Sequence, residues 1–383
     1  MDTMGNEQVE KIQANKMFDV IVIGSGIGGL AAAVELAATG LAVLVVEQHY
    51  LYGGACTTYT RRGGFKFDAG VESISGLGQN GPVRHFLLKH NLFDDIKWVR
   101  NTYQFRCGDN TYSIPADFGQ WRDRLASLFP DEAAGIHKLF HELKSAYFEM
   151  YDAFAADRIT VLVPQTEEEI QNYAAAHPHF LRWRRSTWRE LLDAFIKAPL
   201  LRSILSMLTG YVGDLGEETP ASSMIPIMGY FIEGGFRPEG GSGVLAAKLV
   251  ERLRSYGGEV VGSTKVQSIL MQGGRVKGVQ TDKGTFYAPV IISNADPRVT
   301  YEQLVGLENL PAVYGRKVKE LTPSMSFFGW AASLDRPFYT AELISYVLPE
   351  PVRLEKSGQL VSALGIQSAS AADPSPVPKL HKW

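Results

Sequence analysis

The chain has 383 residues, 45% hydrophobic and 21% charged, with a formal net charge of −3. That length allows roughly two or three domains with sizeable cores, and the charge balance excludes the basic footprint of a nucleic-acid binder. Two cysteines, Cys56 and Cys107, are too few for a disulfide framework and suit a reducing, cytoplasmic compartment. Residues 1–16 form a polar leader of mixed charge without the apolar stretch of a secretory signal. After it, Phe18 to Ile23 is a short apolar, β-branched run that enters a Gly-x-Gly-x-x-Gly turn at Gly24, Gly26 and Gly29. Ala31 to Ala38 then suits a helix that Gly40 ends, and Val43 to Val46 a second strand ending at Glu47. This is one βαβ unit. Gly24 allows a tight turn, Gly26 lets backbone approach a pyrophosphate, and Gly29 lets the helix pack closely on the sheet. Gly28 lies in the same turn, and the helix amides there face the anion. Glu47 is placed to accept hydrogen bonds from ribose hydroxyls, and its charge disfavours a 2′-phosphate. The alternative is a glycine-rich turn in an ordinary parallel sheet. On hydropathy alone Val20 to Val46 also resembles a membrane span, but five glycines and Glu35 inside it argue against one.

Glu47 is followed by a glycine pair, Gly53-Gly54, and then by Gly63-Gly64-Phe65-Lys66-Phe67-Asp68-Ala69-Gly70. Much later come Gly234-Gly235-Phe236-Arg237-Pro238-Glu239-Gly240-Gly241-Ser242-Gly243 and Ile291-Ile292-Ser293-Asn294-Ala295-Asp296-Pro297. On these blocks the sequence resembles the FAD-dependent phytoene desaturase family, which includes carotenoid desaturases, carotenoid isomerases and retinol saturases. The resemblance covers Phe18 to about Gly78, weakens through the middle, and returns from Gly234 to Pro297. It implies an α/β fold: a Rossmann-like FAD-binding domain of the glutathione reductase-like flavoprotein kind, with an inserted mixed α+β substrate domain. It also implies FAD as cofactor, held by Gly24, Gly26, Gly28, Gly29, Glu47, Gly53 and Gly54. Asp68 and Gly70 then stand near the flavin, and the backbone at Val266 faces the adenine. Asp68 before Ala69-Gly70 is equally ordinary turn chemistry. Many family members carry Arg after the glycine pair, contacting the flavin nucleotide, where this chain has Ala55. Cys56 reads either as a small residue packed near the cofactor or as a redox thiol.

Beyond the first block, a helix is expected near Val83 to His90, and strands at Lys97 to Val99 and Tyr112 to Ile114 with a turn at Asp109-Asn110. Helical spacing marks Phe118 to Leu128 and Glu132 to Ala155. His137 and His141, one helical turn apart, form either a metal pair or part of a solvated face, and no Glu stands between them as in His-Glu-x-x-His. Arg182 to Arg189 combines four arginines with two tryptophans. Either it meets a membrane interface, or it is a basic helix end whose tryptophans lie in the core. A helix is expected to follow it through Leu208. The apolar run Thr219 to Ile232 either lines a hydrophobic tunnel or forms a buried helix. A helix at Val244 to Tyr256, stopped by Gly257-Gly258, precedes strands at Glu259 to Val261, Val266 to Met271, Val276 to Thr281, Thr285 to Tyr287 and Val290 to Ser293.

The domain reading is therefore FAD-binding at 17–81 and 234–300, and substrate-binding at 82–233 and 301–383. Past Ser368 to Pro374 the chain enters a proline-containing tail without apolar periodicity. Family members continue there into a strand-helix unit that supports the flavin ring, so the chain is expected to be a C-terminally truncated form with an incomplete second substrate segment. No Ser-His-Asp set, carboxylate pair or zinc spacing is evident, which agrees with cofactor-centred chemistry. The resemblance implies an oxidoreductase acting on a lipophilic, carotenoid-like or retinoid-like polyene, with peripheral membrane contact through Arg182–Arg189. The alternatives are a flavin amine oxidase and a non-enzymatic prenyl-binding carrier resembling GDP dissociation inhibitor.

Overall fold

The computed structural model describes residues 16–71, 73–151, 166–212, 217–323, 343–353, 355 and 360–367. The leader up to residue 15, the expected helix end at Ala155 and the tail beyond Gln367 lie outside the described residues. The chain divides into two compact units: Met1–Val71 with Pro238–Pro323, and Glu72–Arg237 with Ser324–Trp383. It passes between them at 71/72, 237/238 and 323/324, where the sequence reading places boundaries at 81/82, 233/234 and 300/301.

In the first unit Val20–Ile23 (β1) enters helix Ile27–Ala38 (α1), which returns to Val43–Val46 (β2). Every residue of both strands is buried, as an all-apolar pair covered on two faces must be. The helix begins at Ile27, inside the glycine turn and four residues before the expected Ala31, and Gly40 turns the chain at φ +88°. A hairpin follows, Thr58–Thr60 (β3) and Lys66–Asp68 (β4). After the second unit the chain re-enters as helix Gly243–Ser255 (α2), then Glu259–Val261 (β5). Val266–Gln272 (β6), Arg275–Thr281 (β7) and Gly284–Tyr287 (β8) make an antiparallel meander, and Val290–Ser293 (β9) returns to the main sheet. That sheet is parallel, in the order β9-β1-β2-β5. Strand alternation sends Ile21, Ile23, Leu44 and Val46 to one face, where they pack with Val266, Ile269, Val279 and Phe286 of the meander. Truncating Ile21, Ile23 or Leu44 to alanine costs about 2–5 kcal/mol.

The second unit centres on helices Phe118–Leu128 and Ala133–Met150, the first capped by Asp117, whose Oδ1 accepts the Gln120 amide at 2.8 Å. Their apolar faces share a core with Trp183, Trp188, Leu201, Met224 and Phe231. The run expected to continue helically through Leu208 is broken into Trp188–Asp193 and Pro199–Leu205, because Pro199 belongs at a helix start, not within one. The apolar run after Thr219 forms helix Ala221–Ile227, with Ala221, Met224 and Ile225 buried in that core. A strand at Tyr103–Cys107, not anticipated, pairs with Asn110–Ile114 on one side and, in parallel, with Leu343–Arg353 on the other. Leu343–Arg353 also pairs with Leu360–Gln367.

Candidate functional site

Parallel pairing brings the C-terminal ends of β1, β2 and β9 level with one another. Ligands bind at such an edge because strand ends and helix N-termini converge there. At the end of β2, Glu47 is buried and its carboxylate is largely used: Oε2 accepts the Ser25 amide at 2.8 Å and the Ser25 hydroxyl at 2.7 Å, and Oε1 accepts the His49 amide at 2.8 Å. Ser25 carries the link onward, since its carbonyl accepts the Gly53 amide at 3.0 Å. The glycine turn, the acid and the glycine pair are therefore one hydrogen-bonded knot.

The glycines are required for distinct reasons. Gly24 sits at φ +92°, where side chains are strained. A Cβ on Gly29 would lie 2.3 Å from the Gly24 carbonyl oxygen, so this glycine allows the helix to close on its own turn. Cβ atoms on Gly26 and Gly28 would lie 2.5 Å and 2.9 Å from the side-chain amide of Asn294. Asn294 follows β9, is anchored by its amide to the Ile23 carbonyl at 2.8 Å, and lays its side chain along the turn. Sequence reasoning missed this residue. It stands within the Ile291–Pro297 block, but only the pairing of β9 beside β1 brings it to the turn.

Gly26 stands at the N-cap of α1, and among the described residues no side chain caps the amides of the first helical turn, which contains no acid. Such an end has donors and positive dipole to offer an anion. With Glu47 beside it retaining lone pairs for hydroxyl donors, the residues fit a sugar-linked phosphate. Glu47 and Gly54 also line a cleft of about 370 Å³.

The remaining candidates are more distant or more committed. Val266 opens β6 with its side chain in the core, while the loop before it clasps β2: the Thr264 amide donates to the Glu47 carbonyl at 2.8 Å and the Ser263 amide to that of His49 at 2.9 Å. Asp68 Oδ1 accepts the Thr58 hydroxyl at 2.6 Å, the Ser242 amide at 2.8 Å and the Ser242 hydroxyl at 3.0 Å, so it ties the hairpin to the start of α2. Gly70 packs against Ala55, whose carbonyl accepts the Val71 amide at 3.2 Å. Cys56 is buried, with its thiol 3.2 Å from the Ser242 carbonyl, and burial pushes that thiol up to about 11. It is a packed residue at neutral pH, not a redox thiolate.

In the second unit, no group of three metal-ligating side chains occurs among the described residues. His141 instead stacks edge-on against His179, whose Nδ1 is 2.7 Å from Glu142. Trp183 and Trp188 are both core residues, with ring nitrogens donating to Glu142 at 2.8 Å and Ser206 at 3.0 Å. Thr187 and Glu190 form a reciprocal capping box that starts a helix at Trp188 and turns its ring inward. Among the described residues no helix is long and apolar enough to cross a membrane.

A family model described as flavin containing amine oxidoreductase matches residues 27–374. Human all-trans-retinol 13,14-reductase is 30% identical over 305 residues, covering 76% of this chain and 50% of the relative. Prolycopene isomerase 1 from an Oncidium hybrid cultivar is 27% identical over 313 residues, covering 79% and 52%. The chain thus spans about half the length of the curated relatives it matches. The crystal structure of an oxidoreductase from Methanosarcina mazei superposes with a TM-score of 0.62 at 19% identity, covering 94% of this chain and 76% of that one, which shows a shared fold.

Proposed function

The chain belongs to the flavin containing amine oxidoreductase family, a family of FAD-dependent oxidoreductases, and on that premise we propose that it acts on a lipophilic, carotenoid-like or retinoid-like polyene. The observation that carries the nucleotide half of this reading is the Ser25–Glu47 contact beside a helix end that no described side chain caps. In it, the first-turn amides of α1 take the pyrophosphate and Glu47 takes the ribose hydroxyls, while Gly26 and Gly28 leave room for the Asn294 side chain along the turn. Gly53 holds Ser25 in place from the opposite side, and Gly54 lies against Gly26. Asn294 adds an amide able to donate and accept at the same turn. Asp68, Gly70 and Val266 serve at one remove, by fixing the hairpin, α2 and the β5–β6 loop around it. Bound FAD supplies the hydride chemistry itself, and the protein's share is to place, orient and shield it.

The polyene half draws on the names of the retinol reductase and prolycopene isomerase relatives. Peripheral membrane contact at Arg182–Arg189 would rest on exposed arginines alone, since Arg189 pairs with Glu218 at 2.8 Å and both tryptophans are buried. One experiment tests the whole reading: the purified chain is reconstituted with FAD, freed of excess nucleotide and titrated anaerobically with a polyene or an amine while flavin absorbance is followed. Retained flavin whose spectrum responds to polyene is the expected result. Retained flavin that only an amine bleaches indicates the amine oxidase alternative. Absence of flavin after reconstitution leaves the prenyl carrier.

A further inference from the structure

The cleft of about 370 Å³ beside Glu47 has a second wall that the nucleotide site does not yet use. Around β3 the chain alternates: Thr58 turns to Asp68 and the Gly243 amide, while Thr57, Tyr59 and Arg61 all face the cleft. Arg61 closes the hairpin through its amide, which donates to the Phe65 carbonyl at 2.8 Å. Its guanidinium lies over the Tyr59 ring, 4.3 Å from the centroid. Among the described residues no carboxylate pairs with it. Stacking of this kind holds a guanidinium in place while its five donors stay available. Among the described residues that line the cleft, Glu47 is the carboxylate and Arg61 the guanidinium, with His49 also in the lining. Ala55, beside the glycine pair, brings no charge of its own.

A pocket with a hydroxyl acceptor at one wall and a fixed, unpaired guanidinium at the other suits a molecule that carries a sugar diol and an anionic phosphate. We propose that Arg61 is a phosphate-binding residue, neutralising the adenylate phosphate of the dinucleotide whose ribose is held at Glu47. This inference rests on the reading of Gly24–Glu47 as a nucleotide site. It adds a contact that neither the glycine motif nor the helix end implies, from a hairpin outside the βαβ unit. Because Arg61 is exposed and joins no buried network, its replacement leaves the fold intact.

The test titrates the 383-residue chain and its R61A and R61K variants with FAD, ADP and adenosine, reading flavin fluorescence for FAD and heat for the others. R61A is expected to weaken FAD and ADP by about 10-fold and R61K by about 3-fold, as loss of a charge-assisted contact requires. Adenosine, which has no phosphate, binds all three proteins equally. Raising the ionic strength to about 1 M narrows the gap between wild type and R61A, since screening acts on an exposed charge. Equal FAD and ADP affinities in wild type and R61A overturn the Arg61 contact while leaving the nucleotide site standing. A wild-type chain that binds neither FAD nor ADP overturns both. Circular dichroism and melting of R61A matching wild type confirm that the comparison is between folded proteins.

Discussion

Glu47 and Glu142 are almost equally buried, at 8% and 6% exposure, yet the structure uses them in opposite ways. Glu142, within helix Ala133–Met150, takes hydrogen bonds from one neighbouring segment, the Trp183 ring at 2.8 Å and His179 at 2.7 Å, and pairs its charge with Arg182 of that segment at 3.7 Å. It is a clasp between helices, and its donors close around it. Glu47, at a strand end, takes its donors from the backbone and hydroxyl of Ser25 in the adjoining turn and from the His49 amide two residues on, and it still lines a cleft. A buried carboxylate therefore marks a candidate site only where its donors leave it facing a cleft, as Glu47 does. The expense of burying the charge is similar in both.

The sharpest way to break the contrast is Gly29→Val. The new Cβ would meet the Gly24 carbonyl oxygen at 2.3 Å, forcing α1 off its turn and Ser25 off Glu47. Flavin content after reconstitution should fall more than about 10-fold, with about 3 kcal/mol lost in a denaturant melt. Next in size, Glu142→Ala strands the Trp183 ring nitrogen and leaves a void; we expect about 2–4 kcal/mol of destabilisation, with FAD affinity unchanged once the protein is folded. Glu47→Gln reverses that pattern. The amide keeps the shape but loses the charge and sets its NH2 against the Ser25 or His49 donors, so FAD binding weakens by about 10-fold or more while stability drops by about 1–3 kcal/mol. If Glu47→Gln instead behaves like Glu142→Ala, the distinction between clasp and site collapses. Asn294→Ala leaves the Ser25–Glu47 contact intact and removes only the amide flanking Gly26 and Gly28. A 3-fold to 10-fold rise in the FAD dissociation constant, roughly one hydrogen bond, is expected from fluorescence titration.

The smallest effect concerns a third buried ionisable group. The Cys56 thiol is raised from 9.0 to about 11, chiefly by burial. An acid whose folded value lies above its unfolded one favours folding below both. Stability should therefore hold up to about pH 9 and decline between pH 9 and 11, as the unfolded chain releases its proton first. Cys56→Ala should flatten that part of the pH profile in chemical denaturation.

Local signals served well where the contacts that matter are local. Phe118–Leu128 and Val290–Ser293 fall where periodicity puts them, and Gly24, Gly26, Gly29 and Glu47 converge as the βαβ spacing requires. The tryptophans of Arg182–Arg189 were harder to place, because composition alone describes a membrane interface and a buried helix end equally well. The Thr187–Glu190 capping pair, a short-range signal, already distinguishes them, since it sets where the helix starts and hence which way Trp188 faces.

What the amino-acid order determined by itself was the βαβ unit: strand, glycine turn, helix, strand and terminal acid follow one another within thirty residues, so chain connectivity alone delivers them to one place. What only the tertiary structure decided were the contributions of Asn294, Arg61 and Glu142. Asn294 meets Gly26 because parallel pairing brings a strand some 270 positions later in the chain against β1, Arg61 meets the cleft because the β3–β4 hairpin brings it beside the residues that follow β2, and Glu142 is silenced by a helix 40 residues downstream. Side-chain periodicity says which face a residue occupies, but what lies opposite that face is settled by packing between segments distant in the chain.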